Sequence, residues 1–250
     1  MFRILPLVAL AGGLTAFALP AAAFDAPQTR EIETIVRNYL VANPEVLLEA
    51  MKALETKRDG EEKATQKATI ATVAADLTTT PAGTSVGNAE GDVTVTEFFD
   101  YNCGYCKRAA SDIDALVTSD PKLRVVMKEV PILGPDSQAA SRVSLAFRTL
   151  APEKYGAFQK KLLATRAKVD HDRAVEVAGE FGVTEEALTP LLDGPEVRNA
   201  LAESESLLTA LGITGTPTYI VGDELVAGAV GADVLAGKIA NLRTCGSATC

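Results

Sequence analysis

Cys103-Gly104-Tyr105-Cys106 stands directly behind the run Val93-Thr94-Val95-Thr96-Glu97-Phe98-Phe99-Asp100-Tyr101. Two cysteines at i and i+3 on the opening turn of a helix put both sulfurs on one face, close enough to bond or to open into a reactive thiolate. The chemistry on offer is thiol–disulfide exchange. A helix starting near Cys103 turns unpaired N–H groups and the positive end of its dipole toward the first sulfur, which favours ionisation. Lys107 and Arg108 follow and add positive charge. Cys103 is therefore the expected attacking thiolate, and Cys106, one turn deeper, the resolving thiol. A structural disulfide or half of a zinc site are the alternatives. Zinc would need two more ligands, and only His171, Cys245 and Cys250 are on offer, so the strand–motif–helix context favours redox chemistry and no metal is expected.

Other residues group around that pair. Val93, Val95, Glu97 and Phe99 alternate onto one face of the preceding strand, which places Glu97 among apolar neighbours. A desolvated carboxyl there has a raised pKa and can pass a proton to or from the inner thiol. A solvated glutamate on an imperfect strand is the alternative. Gly215-Thr216-Pro217-Thr218 opens a later strand, and Thr216–Pro217 is a candidate cis peptide. If that loop lies beside the cysteines, the Thr216 backbone is free to pair with an extended substrate, with Gly104 and Tyr105 sharing the binding surface. An ordinary turn proline would look the same. Cys245 and Cys250, with four residues between them, fit a small structural disulfide better than a second redox or metal-binding pair. His171, between Asp170 and Asp172, reads as a solvated helix start.

Positioning these groups requires an α/β sheet. The pattern runs strand (about 93–99), helix from the cysteine motif, strand (about 123–130), a helical block over about 137–212, two strands (about 217–221 and 224–227) and a last helix (about 232–243). Ahead of the sheet, residues 28 to about 75 read as helical. Ile32, Ile35, Val36, Tyr39 and Leu40 form one stripe and Leu47, Met51 and Leu54 another, with Asn43-Pro44 as the cap and first helical position of the second helix. Helices this short cannot build a core alone, so the stripes must bury against the main domain or another subunit, and self-association is favoured over packing on the same chain. Residues 78–92, rich in Thr, Pro, Gly and Asn, read as a linker. The expected division is 1–23, 24–77 as a helical oligomerisation stalk, 78–92 as linker, and 93–250 as the catalytic domain.

The chain has 250 residues and a formal charge of −9, and without a basic cluster it offers nothing to nucleic acid. Arg3, the apolar stretch Ile4 to Leu19, and Ala21-Ala22-Ala23 form the pattern of a cleaved export signal over residues 1–23. An oxidising compartment permits disulfides.

The string from Glu97 to Lys107, followed by Gly215-Thr216-Pro217-Thr218, resembles the DsbA-type thiol oxidoreductases of the thioredoxin superfamily. Asn43-Pro44-Glu45-Val46-Leu47 and Val130-Pro131-Ile132-Leu133-Gly134 make the chain similar to the ScsC/Com1-like branch. The resemblance implies a thioredoxin-like fold with an inserted helical domain and no cofactor. It implies Cys103 as attacking cysteine, Cys106 as resolving cysteine, Glu97 as buried acid and Pro217 as the cis-proline. Tyr105 replaces the histidine of the best-known oxidising members, which tilts the expectation toward a periplasmic disulfide isomerase or reductase. Its partners would be unfolded or wrongly paired exported proteins and a membrane thiol reductant, or an oxidant in the oxidase reading. ScsC-like members with helical stalks form trimers, so a homo-oligomer, trimer favoured, is expected. A DsbA-like dithiol oxidase, or a copper-tolerance protein holding Cu(I) on the same two sulfurs, are the alternatives.

Overall fold

The computed structural model describes residues 24–250, so the export signal expected over 1–23 lies outside the described residues. The chain forms two compact units divided between Arg58 and Asp59.

In the first unit, α1 (Ala26–Ala42) starts at a reciprocal cap: the Gln28 N–H donates to Asp25 at 2.8 Å, and the Asp25 N–H donates to the Gln28 side chain at 3.0 Å, satisfying two of the helix's orphan donors. Asn43 closes this helix, and its carbonyl accepts from the Val46 N–H at 3.2 Å where the next one starts. Its backbone N–H and its side-chain amide both donate to the Tyr39 carbonyl, at 2.8 and 2.9 Å. The next helix, α2, runs Glu45–Thr72. Ile32, Ile35, Val36, Tyr39, Leu47, Leu48, Met51 and Leu54 are all exposed.

The second unit is built on a five-stranded sheet among the described residues: β1 (Val86–Gly87), β2 (Val93–Phe99), β3 (Leu123–Glu129), β4 (Thr218–Val221) and β5 (Glu224–Ala227), in the order β1-β3-β2-β4-β5. β2 and β3 are parallel and joined through α4 (Gly104–Ser119); the remaining pairs are antiparallel. A parallel pair needs such a crossover, which fixes the helix opening at the carboxyl end of β2. Both central strands are buried on both faces. One face, with Val95, Phe99, Val125, Met127 and Tyr219, packs on α4 and on α10 (Ala232–Cys245). The other, with Phe98, Val130 and Ile220, packs Ile70 from the end of α2, Leu77 from α3 (Ala74–Thr78), and Leu207 and Leu211.

Two expected boundaries move as a result. The stalk does not reach residue 77, because Ile70 and Leu77 are 4% and 2% exposed in the second core and the Thr96 hydroxyl donates to the Leu77 carbonyl at 2.9 Å. Residues 78–92 are not a free linker. Thr84 is buried, and β1 pairs with the edge of β3. Glycine is required there: Gly87 has φ +79°, and a Cβ on it would stand 2.5 Å from the Leu123 carbonyl.

Between β3 and β4 the chain leaves the sheet for α5 (Pro135–Leu150), α6 (Tyr155–Ala164), α7 (His171–Glu180), α8 (Glu185–Leu188) and α9 (Pro195–Ala210). Their core centres on Phe147 stacked on Phe158 at 4.1 Å, with the Phe181 ring edge-on to both.

Candidate active site

β2 ends at Phe99, a turn over Asp100–Asn102 follows, and Cys103 is the N-cap of α4 with extended φ and ψ. The neighbouring strand β4 brings its own entrance to the same place, since Thr218 pairs with Phe98. Thr216–Pro217, just before β4, is a cis peptide. The protonated Cys103 sulfur lies 3.1 Å from the Thr216 carbonyl. The topology thus brings together Cys103, Cys106, Gly104, Tyr105, Thr216 and Pro217, six positions singled out from the sequence.

The two thiols differ. Cys103 is 7% exposed and Cys106 is 1% exposed. Burial opposes ionisation of Cys103, and so does the Thr216 carbonyl, which only the protonated sulfur can use. Donation from the Thr216 hydroxyl, from the N–H and thiol of Cys106 and from the Tyr105 N–H outweighs burial and holds the thiol below the ordinary cysteine value. The neighbouring cations act elsewhere. The Lys107 ammonium donates to the carbonyls of Thr165 and Ala167, at 2.7 and 2.8 Å, and Arg108 lies 4.3 Å above the Tyr105 ring. Burial pushes the Cys106 thiol far above its ordinary value. The surroundings favour ionisation of the first sulfur over the second.

Glu97 lies beneath the pair, between Met127 of β3 and Tyr219 of β4. It is 1% exposed, and its Oε2 has no hydrogen-bond partner. Burial, then the charges of Asp112 and Cys103, raise its pKa to about 8. It is a carboxylic acid poised near neutrality, as proton transfer requires.

Several positioning residues escaped the sequence reading. Buried Asp100 accepts from the Asn102 N–H and the Ser137 hydroxyl, both at 2.7 Å, and from the Leu133 N–H at 3.0 Å. Asn102 exchanges hydrogen bonds with the main chain of Val169 and donates to Ser137 at 3.0 Å. Next to them, buried Glu129 accepts from the hydroxyls of Ser144, Tyr155 and Tyr101 at 2.6, 2.5 and 3.2 Å. Turn-forming Asp100 and Asn102 ahead of a helix were a signal for a fixed turn. Their partners, 33 to 67 residues away in sequence, left none.

Cys245 and Cys250 form a disulfide. The enclosed loop docks on the β4–β5 turn through Asp223, which accepts from the Ser247 hydroxyl and the Ala248 N–H at 2.9 Å each. His171 is the first residue of α7, behind the Asp170 cap, with Nδ1 3.1 Å from Asp172. Among the described residues, no cluster of His, Cys, Asp and Glu forms a metal site.

Residues 94–240 match the DSBA-like thioredoxin domain family, and residues 28–59 match the copper resistance protein ScsC N-terminal domain. The second match ends at the boundary between the two units. A thioredoxin-like oxidoreductase from Silicibacter pomeroyi is 40% identical, over 68% of this chain and 96% of its own, with a TM-score of 0.64. A linker-deletion mutant of Proteus mirabilis ScsC is 26% identical, over 90% of this chain and 99% of its own, with a TM-score of 0.64. The thiol-disulfide exchange protein alpha-DsbA2 of Wolbachia pipientis is 27% identical, over 72% of this chain and 97% of its own, with a TM-score of 0.66. Among curated proteins, none matches. The family match over residues 94–240, the 40% relative and the paired cysteines at the opening of α4 make one conclusion: this chain belongs to the DsbA-like thioredoxin family of thiol–disulfide oxidoreductases and carries an N-terminal region of the ScsC type.

Proposed function

We propose that the protein is a periplasmic disulfide isomerase or reductase acting on exported proteins through Cys103 and Cys106. The observation that carries this reading is the asymmetry of the two sulfurs: an N-cap thiol held below its ordinary pKa beside the Thr216 carbonyl, and a buried thiol held above it. Cys103 thiolate attacks a substrate disulfide, forming a mixed disulfide and expelling one substrate thiolate. In isomerisation a second substrate thiolate attacks the mixed disulfide, a new substrate pair forms, Cys103 thiolate returns, and no net electrons move. In reduction Cys106 attacks the Cys103 sulfur instead. Two electrons pass to the substrate, and the resulting Cys103–Cys106 disulfide needs a membrane thiol reductant to reopen it. Glu97 takes the proton that Cys106 must lose and returns it in the reverse direction.

Among the described residues, neither the N–H nor the C=O of Thr216 has a main-chain partner. An extended substrate segment can therefore add there as a strand, which places its sulfur against Cys103. Periplasmic location draws support from a similar Salmonella structure described as a periplasmic thioredoxin-like protein, 28% identical over 68% of this chain. The exposed apolar side chains of α1 and the start of α2 support self-association, with a trimer favoured.

Refolding of scrambled ribonuclease tests the reading. The full chain recovers activity, and a chain lacking residues 24–58 keeps insulin reduction but loses the refolding gain. Equal refolding by both chains argues against oligomeric isomerisation. A second reading, Cu(I) held by both thiolates, draws on the copper-resistance family matched by residues 28–59. Stoichiometric Cu(I) binding abolished by Cys103→Ser would support it.

A further inference from the structure

Two arginines without ion pairs stand on segments fastened to the cysteine motif, in a chain whose formal charge is −9. Arg108 and Arg166 are both exposed, and neither makes an ion pair among the described residues. Arg108 is anchored inside the motif itself. Its guanidinium lies 4.3 Å above the Tyr105 ring, and its Nη1 stands 3.9 Å from where a Cβ on Gly104 would be. Arg166 sits between Thr165 and Ala167, the two residues whose carbonyls Lys107 grips at 2.7 and 2.8 Å, while Val169 is paired to Asn102. The segment 165–169 is thereby fastened to the residues on either side of the cysteines. Asp136 pairs with Lys168 and Asp170 caps α7, while Asp112, one turn along α4 from Arg108, is a carboxylate of the same helix with no ion pair among the described residues.

A guanidinium stacked on an aromatic ring keeps its edge free, and that edge matches a carboxylate in two-point geometry. The remainder of an acidic protein repels an acidic substrate, so cations on the segments beside the cysteine motif decide which approach succeeds. We propose that Arg108 and Arg166 are specificity-determining residues that select polypeptide disulfides flanked by aspartate or glutamate. This rests on the thiol–disulfide oxidoreductase reading, and it adds the class of substrate.

The test uses the full chain in its dithiol form and two peptides, each closed by one internal disulfide and identical except that Asp and Glu flank the cysteines in one and Lys and Arg in the other. The readout is the ratio of their exchange rates, so a general loss of activity cancels. At low salt the acidic peptide reacts about tenfold faster, and high salt brings the ratio toward unity. The Arg108→Gln, Arg166→Gln pair abolishes the preference, and Arg108→Glu with Arg166→Glu reverses it. Equal rates for the two peptides with the unaltered chain, or a preference that survives charge reversal, overturn the inference while leaving the oxidoreductase reading intact. If neither peptide exchanges, that reading falls and this inference falls with it.

Discussion

Asn102 and Val169, 67 residues apart in sequence, hold each other in both directions: the Asn102 amide donates to the Val169 carbonyl at 2.8 Å, and the Val169 N–H donates back at 2.8 Å. The residue before the nucleophile is thus fastened to the helical insertion. Asn102→Ala leaves a buried N–H and a carbonyl without partners, which costs about 1–3 kcal/mol. Denaturant titration should show that loss, together with slower alkylation of Cys103. Unchanged stability would mean that water replaces the clamp.

Cys106→Ser removes the resolving thiol and leaves the attacking one. Mixed disulfides with substrate proteins should then accumulate through Cys103 and disappear on adding Cys103→Ser. Non-reducing electrophoresis followed by peptide mapping reads both. Adducts mapped to Cys245 or Cys250 would move the chemistry to the wrong pair.

Glu97 links stability to pH with a definite sign. Its pKa rises on folding from the ordinary glutamate value of 4.5 to about 8. Between those values the folded chain keeps a proton that the unfolded chain has lost, so stability falls as pH rises through the window and levels off above it. Glu97→Gln should flatten that fall, a difference on the order of a few kcal/mol at the top of the window. Reduction of substrate should slow as well, because Cys106 loses its proton acceptor. Parallel stability–pH curves for the two chains would contradict this role.

Leu77 distinguishes the two units. Leu77→Ala empties a buried site shared with Phe98 and Ile220 and should lower the stability of the catalytic unit by about 2–4 kcal/mol. Deleting residues 24–58 should leave that unit's unfolding midpoint nearly unchanged. A large loss on that deletion would show that the first unit supports the second.

What the sequence disclosed was local. The alternation of Val93, Val95, Glu97 and Phe99 places Glu97 inside because period-two burial needs only one strand to be read. Cys103 and Cys106 follow from one helical turn. The Asp100–Ser137, Asp100–Leu133 and Asn102–Val169 contacts were hidden because they exist only once the helical insertion folds back over the turn. β1 was hidden because two residues, Val86 and Gly87, carry no periodicity. Asn43-Pro44 marked the junction of two helices but not its second half: the Asn43 amide turns back to Tyr39 while its carbonyl accepts from Val46. Lys107 and Arg108 were expected to lower the Cys103 pKa through charge. Hydrogen bonds from Thr216, Cys106 and Tyr105 lower it instead.

The rate of Cys103 alkylation as a function of pH, measured in the reduced full chain, tests the central claim most directly. The rate should reach half its plateau below the ordinary thiol value of about 8.5, while Cys106 stays unmodified at neutral pH. A midpoint at the ordinary value, or Cys106 reacting first, would contradict it.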